Sequence, residues 1–171
     1  MANAKLGRPS KERKALLRGQ VSDLLMKGRI ETSLVRAKSV RSVAEKIITL
    51  AIKTFDDTVK TTKDIKDASG AKVKTEVVND GAKRLNARRK MMSYLYDLQE
   101  QRKPKESVEA FKMRTEGINH PLIEKIFNVY GPRFRERAEK LGQGGGYTRI
   151  IKIGERRGDA SERAIIEIIA D

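Results

Sequence analysis

A chain of 171 residues has room for one domain or at most two, and its 38 Lys and Arg against 23 Asp and Glu leave a net +15 that repels itself and seeks a polyanion, either nucleic acid or an anionic membrane. No apolar run approaches the ~20 residues of a membrane span, and the absence of cysteine excludes disulfides, thiolate metal sites and a cysteine nucleophile. With no Trp and 5% aromatics the core must rest on Ile, Leu, Val, Ala and Met, and the opening MANAKLGRPSK carries no apolar signal segment, which predicts a cytoplasmic protein.

Residues 1–10 read as an irregular basic arm broken by Gly7 and Pro9, with Ser10 a candidate N-cap. Residues 11–27 predict a helix that buries Leu17, Val21, Leu24 and Leu25, and Gly28 suits its C-terminal stop. Arg29 to Thr32 predicts a short edge strand. Ser33 caps a second predicted helix running to about Lys53, with Val40, Val43, Ala44, Ile47, Ile48 and Ala51 as its apolar stripe. From Thr54 to Asn79 both charges mix with small polar residues, which predicts an extended loop or short irregular pieces.

Asp80 to Gln101 predicts helix again, with Ala87, Met91, Leu95 and Leu98 on one face and Pro104 beyond its end. Residues 105–119 hold at most a short helix around Val108 to Met113. Pro121 fits a first helical position, Leu122, Ile123, Ile126 and Phe127 form the buried side, and Gly131-Pro132 predicts a break or kink before residues 133–141. Tyr147 to Ile153 and Arg163 to Ala170 are β-branched runs that predict an antiparallel hairpin. The sum is a single α+β domain, 1–171: a two-layer α/β arrangement, N-terminal and central helices packed on a small mixed sheet with a C-terminal antiparallel hairpin.

Charge is unevenly placed along this order. Residues 1–53 carry 13 basic and 4 acidic side chains, and 84–103 carry 6 and 2, whereas 54–83 carry 6 and 6 and 104–120 carry 3 and 3. A surface evolved only for solubility would spread its excess, so the basic segments predict a polyanion-facing side. On it fall Lys5, Arg8, Lys11, Arg13, Lys14, Arg18, Arg29, Arg36, Lys38 and Arg41, then Arg84, Arg88, Arg89 and Lys90 around NARRK, and Arg133, Arg135 and Arg137. Arginine's planar fork matches phosphate, and each neutralised phosphate releases counterion.

The glycine run in LGQGGGYTRI raises a nucleotide pocket only to lose it. A P-loop needs Gly-Lys-Ser/Thr opening a helix, and a dinucleotide fingerprint needs a strand before and a helix after; here Tyr147 and a strand follow. Two readings remain: a flexible connector, or a loop whose backbone approaches RNA at Gly145, Gly146, Tyr147 and Arg149, with Arg156 and Arg157 at the far turn. The lone His120 reads as a helix-entry or surface residue, and no Ser/His/Asp order or H-E-x-x-H spacing can be built, so no enzyme, cofactor or metal is expected. Gly-Arg-Pro at residues 7–9 is similar to the core of a minor-groove hook, though its flanks are lightly basic. Stacking aromatics are scarce, which favours folded RNA read by shape and backbone over a single-strand platform.

Five stretches, KLGRPSKERKALLR, GRIETSLVRAKSVRSVAEKIITLA, LNARRKMMSYL, LIEKIFNVYGPRF and GGYTRIIKIGERRGDASERAIIEI, occur in order along the chain. In these the sequence resembles the bacterial large-subunit ribosomal protein seventeen family. The resemblance implies a two-layer α/β fold and a structural role on large-subunit rRNA, near the rim of the peptide exit tunnel and beside other ribosomal proteins, with no membrane or small-molecule substrate. It adds Gly7, Thr32 and Thr148 to the matching positions. The opening MANA is less basic than the family's usual start, and residues 54–83 and 99–119, which overlap the two net-neutral segments, resemble insertions. The alternative is a free DNA- or RNA-binding regulator using the Gly-Arg-Pro arm; a nucleotide-dependent enzyme rests on the glycines alone.

Overall fold

A computed structural model describes residues 4–66 and 72–169. Helix α1 (Ser10–Lys27) leads through Gly28 into strand β1 (Arg29–Ser33) and helix α2 (Leu34–Ile52). Gly28 sits at φ 83°, where it donates its N–H to the Leu24 carbonyl at 2.7 Å and turns the chain directly into β1. Ser10 begins the helix and Pro9 occupies the cap position, so Ser10 is not the N-cap that the sequence suggests. On α2, Leu34, Ala37, Val40, Ala44, Ile47, Ile48 and Ala51 are buried along one face. Alanines at seven-residue spacing allow close approach of neighbouring elements.

Strands β4 (Thr148–Glu155) and β5 (Glu162–Ile168) complete a three-stranded sheet of order β1-β5-β4. Both pairings are antiparallel, so the sheet is antiparallel throughout rather than mixed. Ala164, Ile166 and Ile168 of β5 point into the core, with Ile30 and Ile150 packed beside them. The register places Arg29 and Arg149 on either side of Glu167 on the opposite face. A bulge between Lys152 and Gly154 is absorbed by Gly154 at φ 119°, a conformation that suits glycine.

Three segments depart from the sequence-based expectation. The stretch predicted irregular forms an antiparallel hairpin, β2 (Thr58–Lys66) with β3 (Lys72–Asp80). Its Thr and Val content favours strand, but mixed charges hid the alternation. Helix α3 (Ala82–Tyr94) stops well before Gln101, so Leu98 is not on it. The reason lies on α1. The buried Ser22 hydroxyl accepts the Tyr96 N–H at 3.0 Å, and Arg18 donates to the Leu95 carbonyl at 2.9 Å while its guanidinium stacks 4.4 Å from the Tyr96 ring. These contacts hold the chain extended from Leu95 onward.

Helix α4 (Val108–Thr115) follows, capped by Ser107 Oγ accepting the Ala110 N–H at 3.1 Å. Helix α5 (Pro121–Lys125) does not break at Gly131-Pro132. It widens into a π-helical turn (Ile126–Tyr130) and continues as α6 (Gly131–Leu141). Pro132 has no N–H to give, and a wider turn before it accommodates that loss. The turn also aims Phe127 and Tyr130 inward. Phe134 packs 6.2 Å from Tyr130 and 4.9 Å from Tyr147, ring centre to ring centre, and anchors this end of the core.

Candidate nucleic-acid interface

The cations picked out by sequence divide into three groups once their partners are known. The first is committed to the fold. Arg88 pairs with both Asp80 and Glu124. Arg84 donates to the Phe55 carbonyl at 2.9 Å and lies 4.9 Å from the Phe127 ring centre. Its Nε is 3.0 Å from Asp80 without a well-aimed hydrogen bond, so that contact is coulombic rather than directional. Hydrogen bonding from Arg88 holds the Asp80 carboxyl below its ordinary range, and Asp80 in turn raises the Arg88 guanidinium. Arg133 donates to the Ile169 carbonyl, Arg137 donates to the Gly146 carbonyl and Arg18 is held as described above, whereas the Arg135–Asp56 pair at 2.7 Å is exposed and belongs with the second group. Sequence spacing made all of these RNA candidates because a charge run on a helix looks the same whether it meets phosphate or a carboxylate far along the chain.

The second group consists of exposed arginines with an acidic partner: Arg8 with the exposed Glu12 at 3.5 Å, and Arg41 and Arg149 with the half-buried Glu45 at 3.3 Å and Glu167 at 3.5 Å. Exposed pairs of this kind contribute about 0–1 kcal/mol, so an incoming phosphate competes readily. Glu45 also accepts from Thr148 Oγ1 at 2.9 Å, which fixes Arg41 relative to the sheet.

The third group is free. Among the described residues, Lys5, Lys11, Arg13, Lys14, Arg29, Arg36, Lys38, Arg89 and Lys90 have no side-chain hydrogen bond, ion pair or ring contact. They sit on the arm, the first turns of α1 and α2, the first residue of β1 and the outer side of α3. Thr32 is not free, since its hydroxyl accepts from Gln20 Nε2 at 3.0 Å.

The glycine loop changes meaning. Gly142, Gly145 and Gly146 have φ of 67°, 104° and 61°, left-handed conformations that suit glycine on the way from α6 into β4. The Tyr147 ring is buried against Phe134. The arm also differs from an extended minor-groove hook. Leu6 and Gly7 both have positive φ, and the Arg8 N–H bonds back to the Lys5 carbonyl at 3.2 Å, closing a turn. His120 lies 3.2 Å from Asp97 at the entry to α5.

The fold and its charges define a small basic α+β protein with a rigid, internally braced body and a set of unpaired cations at its surface. The model of the family described as Ribosomal protein L17 matches residues 16–169. Large ribosomal subunit protein bL17 of Lachnospira eligens is 38% identical over 96% of this chain and 97% of its own length. The proteins of the same name from Acetivibrio thermocellus and Halothermothrix orenii are each 34% identical, covering 98% and 100% of this chain and 99% and 100% of their own. The chain belongs to the ribosomal protein L17 family.

Proposed function

We propose that the chain is a non-enzymatic structural constituent of the bacterial large ribosomal subunit, working in the cytoplasm. It binds and stabilises large-subunit rRNA near the rim of the peptide exit tunnel, beside neighbouring ribosomal proteins. The observation that carries this reading is the match along nearly the whole chain to relatives named as large-subunit proteins. The geometry supplies a mechanism. Paired arginines stiffen the body, and the unpaired cations of the arm, α1, α2 and α3 are left to neutralise converging RNA segments.

Recognition is through backbone and shape. The Phe55, Phe127 and Phe134 rings lie against the protein's own guanidiniums, and Tyr147 is in the core. Little aromatic surface remains for stacking bases, and folded RNA needs none. The segments that resemble insertions, residues 54–83 and 99–119, carry little net charge, face away from RNA and lie at the particle surface or against a neighbouring protein. The free-regulator alternative gains nothing from these relatives, and the turn in the arm does not fit an extended hook. A competition assay separates the two: rRNA-bound protein should resist duplex DNA of any sequence. Displacement by A·T-rich duplex at equal nucleotide concentration would favour the regulator.

A further inference from the structure

A concavity of about 390 Å³ opens where the end of β1, the first turn of α2, the β4–β5 turn and the start of β5 meet. We propose that it seats one phosphodiester group of the rRNA backbone, gripped by Arg36, Arg156 and Arg163. The inference rests on the reading of the chain as an rRNA-binding protein and assigns a contact that the sequence alone does not reveal. Arg163 in particular is invisible to periodicity, because only the β1–β5 register brings it opposite Ser33.

Three guanidiniums from three separate elements line this concavity with a single carboxylate, Glu31, and every other lining side chain is a hydroxyl. No apolar side chain contributes, so the walls offer nothing to an apolar ligand or a hydrophobic protein anchor. The donors are not used up. Arg36 has no partner among the described residues. Arg156 uses Nε and Nη2 on Asp159 and keeps Nη1. Arg163 meets Glu31 through Nη1 at 3.2 Å in an exposed pair that a phosphate can loosen. Ser33 makes no side-chain capping bond.

Arg36 is also placed against the local field. It lies in the first turn of α2, where the helix dipole is positive and no acidic residue is present. An anion between the three guanidiniums relieves that repulsion and completes bidentate arginine contacts of the kind phosphate favours. Such contacts fix register on RNA without reading its sequence.

The test uses the full chain and a large-subunit rRNA transcript, with affinity measured against salt. Arg36→Gln removes no side-chain hydrogen bond, ion pair or ring contact among the described residues, so its melting curve should match the parent and any binding change is local. Its salt slope should fall by about one, so the parent's advantage shrinks about threefold between ~50 and ~200 mM salt. Combining R36Q with R156Q and R163Q should lower the slope further, while Lys112→Gln on α4, within the net-neutral residues 104–120, leaves it unchanged. A parent-like slope in the triple variant, with tight binding retained, overturns the phosphate seat but leaves the ribosomal reading intact. If that variant also fails to enter large subunits, the concavity holds a protein carboxylate instead. Loss of inorganic phosphate binding with rRNA binding unchanged would assign a free-phosphate site and overturn the proposal equally. Failure of the parent to bind rRNA defeats both readings together.

Discussion

Arg88 and Arg89 are adjacent and carry the same charge, yet one is paired and the other is not. Arg88 is tied to Asp80 and Glu124, so it bridges the end of β3, α3 and α5. Arg89 is exposed and free. Arg88→Ala should therefore cost about 2 kcal/mol, because two partly buried carboxylates lose their common partner. Arg89→Ala should change stability by no more than about 0.5 kcal/mol and lower the RNA salt slope by about one. Urea denaturation and salt-dependent binding on the two variants check this, and the reverse pattern would move Arg88 to the interface. Tyr147 teaches the same lesson from the apolar side. Glycine and arginine neighbours mark it as a loop ligand, yet a ring entering β4 beneath α6 is worth more in the core than in water.

At the scale of elements, carboxylate–arginine pairs brace residues 99–119 within themselves and tie residues 54–83 to the body. Arg114 binds Glu100 and Glu106 and ties α4 to the extended chain after α3. Hydrogen bonding from Arg114 pulls the Glu106 carboxyl down to about 2. A depressed carboxyl contributes stability that is fully present above its unfolded value of about 4.3 and is lost as pH falls through the folded one. Protection of the amides in residues 99–115, measured against the intrinsic exchange rate at each pH, should therefore fall between about pH 4.3 and about pH 2. Glu106→Gln should make exchange there faster and remove that dependence. A flat profile in the parent would mean that the cluster does not brace the segment.

The hairpin is joined to the body at its base. Asp57 caps α3 by accepting the Lys83 N–H at 2.7 Å and the Arg84 N–H at 3.2 Å, and its carbonyl accepts the Gly81 N–H at 2.8 Å. Replacing residues 60–78 by a two-residue Asn-Gly turn should leave the body folded and the RNA salt slope unchanged. A lowered slope would place the hairpin on RNA. The helices with a clean apolar stripe, α1 and α2, were legible in sequence, as were β1, β4 and β5. The β2–β3 hairpin was not, because its two-residue alternation is diluted by Lys, Asp and Glu. The end of α3 was not either, since Ser22 and Arg18, more than 70 positions earlier, decide it.

For the whole molecule, family and charge placement were readable from sequence, and the division of labour among cations was not. Nothing in a one-dimensional pattern separates Arg88 from Arg89, or joins Arg36 to Arg163. In three dimensions the paired arginines brace a body whose core runs from α1 and α2 to Phe134 and the inner face of the sheet, and the free ones stay unpaired at the surface. A protein arranged this way has its role in an assembly. The central claim is tested most directly by sedimenting ribosomes from cells that make the chain, then dissociating the subunits and washing them in high salt. The account predicts that the chain stays with large subunits at about one copy each, as expected for backbone contacts made by many cations at once. Recovery of the chain only in the soluble fraction would contradict it.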